Sequence, residues 1–115
     1  QDIEQAISYY EKAAGFDDEE AMHRLGIIFY FRYTDSNSDS DAETSFEWML
    51  KGAQKGYIDS MYLIGCFYMD GFGVAKDEGE GLKWLTLARD GGSYEAAQLL
   101  ERFQGEGSQD KEEKE

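Results

Sequence analysis

The sequence predicts an all-α fold, a solenoid of antiparallel helical hairpins, and three observations lead to this prediction. The chain has no Pro and 13 Gly, as expected of helices that are separated by glycine-containing turns. Apolar residues recur at helical spacing, so that Ala21, Leu25 and Phe29 share one face. Two helical patterns also recur with a period of about 36 to 39 residues, which is typical of helical-hairpin repeats.

The two patterns define two kinds of helix. The A pattern has a small residue, then an aliphatic residue, Gly and an aromatic residue at fixed helical offsets. It occurs as AMHRLGIIFY from Ala21 and SMYLIGCFYM from Ser60, and YEAAQLLERF from Tyr94 begins it again. The B pattern occurs as FEWMLKGAQKG and LKWLTLARDGG, with Trp48 and Trp84 in equivalent positions, and the opening AISYYEKAAG repeats it. The chain therefore contains one B helix, two complete A–B hairpins and a final A helix.

These units set the expected elements and domain boundaries. Helices are predicted near residues 2–14, 19–32, 42–55, 59–69, 78–90 and 94–104. Residues 1–104 then form one solenoid domain, made of a half repeat, two full repeats and a terminal capping helix. Residues 105–115 contain no apolar side chain and should be a disordered acidic tail.

One stretch, LIGCFYMDGFGVAKDEGEGLKWLTLARDGG, resembles the Sel-one-like repeat (SLR), a variant of the tetratricopeptide repeat. The Leu-Gly pair of that pattern corresponds to Ile64-Gly65, and its Gly-x-Gly-Val turn corresponds to GFGV at residues 71–74. The first full repeat lacks this turn, and the final A helix has Glu101 in place of Gly, which suggests a polar end to the stack. The resemblance implies a right-handed superhelix that serves as an interaction scaffold and has no chemistry of its own.

The charge balance restricts the class of partner. The formal net charge is −14, from 25 acidic and 11 basic residues. Nucleic-acid binding requires a cationic face, and so does binding to an anionic membrane, which argues against both. No apolar run approaches the roughly 18 residues of a membrane-spanning helix. The excess of acids favours a protein partner with a basic surface, or serves solubility alone.

Residues that could support catalysis are few. His23 is the only histidine and Cys66 the only cysteine, so a His-based metal cluster and an intrachain disulfide are both excluded. We therefore expect no enzyme activity, no metal and no cofactor. The absence of a disulfide favours a cytoplasmic location, with a periplasmic or secreted one left open.

The polar run from Asp35 to Asp41 resembles the first half of a calcium-binding EF-hand loop. That loop requires Gly at its sixth position and Glu at its twelfth, where this chain has Ser40 and Phe46. We therefore expect a solvated acidic loop without calcium, with Asp41 capping the next helix.

The resemblance also suggests a binding face. In tetratricopeptide-like hairpins the A helices line a concave groove, at known offsets from the Leu-Gly pair. Transferring these offsets predicts partner-binding residues on three A helices: His23, Ile27, Tyr30, Phe31, Tyr62, Cys66, Met69, Asp70 and Arg102.

These features predict a monomeric interaction module whose concave face holds a peptide, helix or loop of a partner with a basic surface. Two alternatives are left open. One is an immunity or inhibitor protein that neutralises a basic toxin or enzyme, which a neighbouring toxin gene would identify. The other is a regulatory repeat fragment of a larger protein, which the full reading frame would identify.

Overall fold

The computed structural model describes residues 2–114, and it describes side chains for residues 2–104. In this part of the chain there are six helices and no strand, which confirms the predicted all-α class. The backbone of the last helix continues beyond its predicted end at residue 104, whereas the side chains of residues 105–115 are not described, and the disorder expected of this tail stays a prediction. The helices are α1 Ile3–Gly15, α2 Glu19–Ser36, α3 Asp39–Gln54, α4 Ile58–Asp70, α5 Glu78–Asp90 and α6 Tyr94–Lys114.

Short polar side chains start most of these helices. Asp2, Asp18 and Asp77 each accept a hydrogen bond from a backbone N–H in the first turn of α1, α2 and α5. Ser93 does the same for α6, since its Oγ lies 3.1 Å from the backbone nitrogen of Ala96. Such caps satisfy N–H groups that have no partner within the helix. They explain why the sequence located these four starts to within a residue or two.

The junction between α2 and α3 differs from the prediction. Only Asn37 and Ser38 separate the two helices, because α2 continues to Ser36 and α3 begins at Asp39. Asn37 ends α2 in the left-handed conformation, with φ 54°, which Asn tolerates better than most residues. We expected Asp41 to cap α3, and this prediction is wrong. Asp41 lies inside the first turn of α3 and accepts a hydrogen bond of 2.7 Å from the Ser36 hydroxyl. The predicted acidic loop is therefore mostly helical.

The core is built from the positions that recur in the repeat. The aliphatic position of the A pattern is fully buried at Leu25 and Ile64, and nearly so at Leu100. In the B helices Met49 and Leu85 are also fully buried. The most extensive packing is between α2 and α3 and between α4 and α5, as expected of two A–B hairpins.

Glycine in the A pattern allows the two helices of a hairpin to approach closely. A Cβ atom on Gly65 would lie 2.7 Å from Cγ of Leu85, and one on Gly26 would lie 2.6 Å from Cε of Met49. In α6 the equivalent residue is Glu101, which is exposed. A further B helix could not approach α6 in the same way, which is consistent with a polar end to the stack.

Candidate protein-binding groove

A groove of about 500 Å³ lies between α2 and α4. Its walls are mainly apolar, with five aromatic side chains and one charged side chain. The lining residues are Ile27, Tyr30, Phe31, Tyr33, Leu63, Cys66, Phe67, Asp70, Gly71 and Phe72.

Helical spacing explains how α2 and α4 form the two walls. Ile27, Tyr30 and Phe31 are separated by three and four residues, so they share one face of α2. Cys66 and Asp70 are four residues apart and share one face of α4 in the same way. Since α2 and α4 are successive A helices, these two faces border the same opening.

Phe72 closes the groove at the end of α4. Its ring centroid lies 4.7 Å from that of Phe67, 4.9 Å from Tyr33 and 5.3 Å from Tyr30. The glycines on either side, Gly71 and Gly73, both have left-handed φ angles, 74° and 71°. They turn the chain so that Phe72 packs against the end of α2. The sequence indicated a turn here, but it did not identify Phe72 or Tyr33 as groove residues.

His23 lies outside the groove and joins the two A helices. Its Nδ1 atom is 2.8 Å from Oγ of Ser60, and its ring centroid is 5.0 Å from that of Tyr57. Burial lowers the pKa of His23. A Ser–His hydrogen bond is also the starting geometry of a nucleophilic site. However, Ser60 is 0% exposed, so no substrate can reach its hydroxyl in this arrangement.

Cys66 lines the groove as a half-buried thiol. Burial raises the pKa of Cys66, so the thiol is protonated at neutral pH and is a weak nucleophile. In the groove it therefore acts as a small apolar surface.

Three other predicted residues lie outside the groove. Tyr62 and Met69 pack against the buried cluster that includes Leu85 and Leu100. The Sδ atom of Met69 occupies space that a Cβ on Gly81 would need, at 2.6 Å. Arg102 is exposed on α6.

Five of the nine predicted residues thus line the groove, and four do not. The structure brings together Ile27, Tyr30, Phe31, Cys66 and Asp70. His23, Tyr62, Met69 and Arg102 do not line the groove, although Tyr62 and Met69 pack against the same buried cluster as the groove residue Cys66. The role of each residue in binding a partner stays a prediction.

A second hollow, of about 490 Å³, lies on the other side of Ile27 and Phe31, between α1 and α2. Phe31 is 61% exposed and separates the two openings. Phe31 is therefore the large apolar side chain that is most accessible from both the groove and the second hollow.

The described residues contain neither a metal-binding cluster nor a membrane-spanning helix. No group of three or more His, Cys, Asp or Glu side chains there is arranged to hold a metal ion. None of the described helices combines the length and the apolar character needed to cross a membrane.

Comparison with known proteins places the chain in a repeat family. The chitin synthase regulator SKT5 of Saccharomyces cerevisiae is 29% identical over 89 residues, which cover 76% of this chain but only 12% of SKT5. A Sel1 repeat protein from Oxalobacter formigenes matches with a TM-score of 0.76 and 27% identity, over 89% of this chain and 74% of that one. A protective antigen of uropathogenic Escherichia coli with an SLR fold matches with a TM-score of 0.72 and 34% identity, over 83% of this chain and 20% of that one. The Sel1 repeat model matches residues 1–14, 19–57 and 58–93, so the chain belongs to the Sel1 repeat family.

Proposed function

We propose that this chain binds a partner protein in the groove between α2 and α4. Sel1 repeat proteins generally mediate protein–protein interaction. The groove itself is the main support for binding at this site, because it is about 500 Å³ in volume and has five aromatic side chains in its walls. Protein-binding sites are enriched in aromatic residues, whereas most of a soluble surface is not.

The exposed rings supply the expected binding energy. Tyr30 and Phe31 are 38% and 61% exposed although both are large and apolar. A partner that covers them removes apolar surface from water, which favours association. Aromatic side chains at the centre of an interface are also the commonest hot spots. We therefore expect these two residues to contribute most to affinity.

The net charge supports a partner with a basic surface. Residues 105–115 hold five acids and two bases, a net of −3, which leaves −11 for residues 1–104. The excess of acids thus belongs to the repeat domain, and it would attract a cationic surface over several ångströms. Asp70 brings one such carboxylate into the groove.

Site-specific photo-crosslinking tests where the partner binds. A photoreactive amino acid is introduced at Phe31 in one variant and at Leu87, on α5, in a control variant. Leu87 is 51% exposed and does not line the groove, so the two positions are matched in exposure. We expect one defined partner to crosslink at position 31 and not at position 87. Equal yields at both positions, or crosslinking only at position 87, would contradict the proposal.

The match to SKT5 supports a second candidate role. SKT5 is a regulator of an enzyme, and this chain corresponds to 12% of its length. In this role the chain is the repeat segment of a regulatory protein and the partner is an enzyme. The partner identified by crosslinking distinguishes the two, because a regulator changes the activity of the enzyme that it binds.

A further inference from the structure

We propose that the groove receives an arginine side chain of the partner, which packs against the aromatic rings and pairs with Asp70. This inference rests on the proposed function, because it specifies the partner chemistry for the same groove. The accessible rings, the carboxylate beside them and a similar cation–ring–carboxylate contact elsewhere in the molecule support it.

Tyr30 lines the groove and is 38% exposed, so its ring is accessible to an occupant, whereas Phe67 behind it is only 6% exposed. Tyr30 and Phe67 are nearly parallel, with 10° between their planes and 6.2 Å between their centroids. Phe72 is tilted against both, by 54° and 49°. The face of an aromatic ring is the negative side of its quadrupole, so it attracts a cation that lies over it.

Among the residues whose side chains are described, Asp70 is the only charged one that lines the groove. It is exposed, and none of the ion pairs among the described residues includes it. A purely apolar occupant would cover the carboxylate without providing a partner, which is unfavourable. A cationic occupant satisfies the carboxylate and the rings together.

Arginine fits this combination better than lysine. Its guanidinium is planar and weakly hydrated, stacks on aromatic rings and pairs with carboxylates through two parallel N–H groups. The protein already contains such an arrangement. The guanidinium of Arg32 lies 5.4 Å from the ring centroid of Phe29, and its Nη2 atom is 2.6 Å from Oε1 of Glu4.

A second copy of the chain is a poor occupant on grounds of charge. Each copy has a net charge of −14, so two copies repel one another. A segment of a basic partner has no such penalty. We therefore assign the groove to an arginine of a different protein.

Short peptides test this assignment directly. Three peptides, acetyl-Gly-Ser-X-Ser-Gly-amide, differ only in X, which is arginine, its neutral isostere citrulline, or leucine. Each is titrated into the protein while the NMR signals of Tyr30, Phe31 and Asp70 are followed. We expect the arginine peptide to bind about tenfold more tightly than the citrulline peptide, because the ion pair and the cation–π interaction both need the charge.

Two variants with the same net charge test whether the carboxylate of Asp70 pairs with the arginine of the peptide. In Asp70→Asn the ratio between the arginine and citrulline peptides should fall close to one. In the control Asp90→Asn, at the exposed end of α5, the net charge changes by the same amount and the ratio should stay near tenfold. An equal loss in both variants would mean that only the overall charge matters, and it would overturn the inference.

The remaining outcomes separate the two proposals. Tighter binding of the leucine peptide than of the arginine peptide at the same signals would overturn the arginine inference but leave the groove as the binding site. If no peptide shifts the groove signals, the arginine inference fails, and crosslinking at position 31 decides separately whether a partner protein binds in the groove. If these signals shift on dilution without any peptide, a second copy is the occupant and the arginine inference is wrong.

Discussion

The imidazole of His23 and the hydroxyl of Ser60 join α2 to α4 through a hydrogen bond of 2.8 Å. Ser60 is fully buried, and it fits because α3 has a glycine beside it. A Cβ atom on Gly52 would lie 2.7 Å from the Ser60 Oγ. Three helices thus meet at one partly buried polar contact, one helical turn before the groove residue Ile27.

This contact should make stability depend on pH. Burial lowers the pKa of folded His23 below its ordinary value of 6.5, so the unfolded chain binds the proton more readily. The free energy of unfolding should therefore decrease as the pH falls below about 6.5, until the lower folded pKa is reached. Thermal melts between pH 7.5 and 5 of the protein and of His23→Gln measure this effect. The difference in Tm between the two should narrow as the pH falls, and a constant difference would contradict the account.

Gly65→Ala should destabilise the protein by about 1–3 kcal/mol, the usual cost of overpacking a core. The added methyl group would lie 2.7 and 2.8 Å from two side-chain atoms of Leu85 and 3.1 Å from the carbonyl oxygen of Gly81, so α4 and α5 would have to separate. Gly15→Ala is the control, since nothing lies within 4 Å of a Cβ there. Urea unfolding of both variants provides the comparison. Equal stabilities would mean that the close approach of α4 and α5 is not required.

Gly56→Ala tests backbone conformation separately from packing. Nothing lies within 4 Å of a Cβ on Gly56, but its φ is 96°, which disfavours any side chain. We expect a loss of about 1–2 kcal/mol in the free energy of unfolding, since the cost comes from the left-handed backbone alone. A variant as stable as the original protein would show that the turn can adopt another conformation.

The repeat position of Gly56 explains an unusual feature of Asp17. Gly56 and Gly92 are equivalent in the B pattern, and Asp17 holds the same position after α1. All three have positive φ, which is 65° at Asp17. Its carboxylate lies 3.1 Å from the ammonium group of Lys55. The turn geometry is therefore set by the repeat and is kept even where glycine is absent.

The sequence predicted the fold well because periodicity and caps are local properties. The spacing of Leu25 and Ile64 and the caps at Asp77 and Ser93 define helices without knowledge of tertiary structure. The α2–α3 junction was predicted wrongly because a run of Asp, Ser and Asn is equally compatible with a loop and with two capped helix ends. Only the left-handed turn at Asn37 decides between them, and composition does not reveal it.

The groove was predicted in part because side-chain direction depends on the neighbouring helix. Met69 is four residues after Gly65, so it shares the face that packs on α5, and the missing side chain of Gly81 gives it room. Phe72 is the opposite case. It lies in a turn, and only the left-handed angles of its neighbours direct it into the groove.

Once a partner is identified, the salt dependence of its association and dissociation rates should distinguish long-range electrostatic attraction from the contacts that stabilise the complex. Acids are in excess in the repeat domain, so they should accelerate association with a basic partner at low ionic strength. Raising the salt concentration from about 50 to 500 mM should slow association strongly and change dissociation little, because screening acts on exposed charges at a distance. Stopped-flow kinetics measures both rates. If the association rate does not change with salt concentration, the excess of acidic residues serves solubility alone.

The dissociation rate of the partner from Phe31→Ala tests the central claim, that the groove between α2 and α4 holds the partner. Phe31 is 61% exposed, so its removal should leave the fold intact while it deletes the most accessible ring of the groove. We predict that the dissociation rate rises roughly thirtyfold, which corresponds to a loss of about 2 kcal/mol in binding free energy and is typical of a hot spot. Leu87→Ala, on α5, should leave the rate unchanged. An unchanged rate in Phe31→Ala would contradict the account, and faster dissociation in Leu87→Ala would instead place the partner on α5.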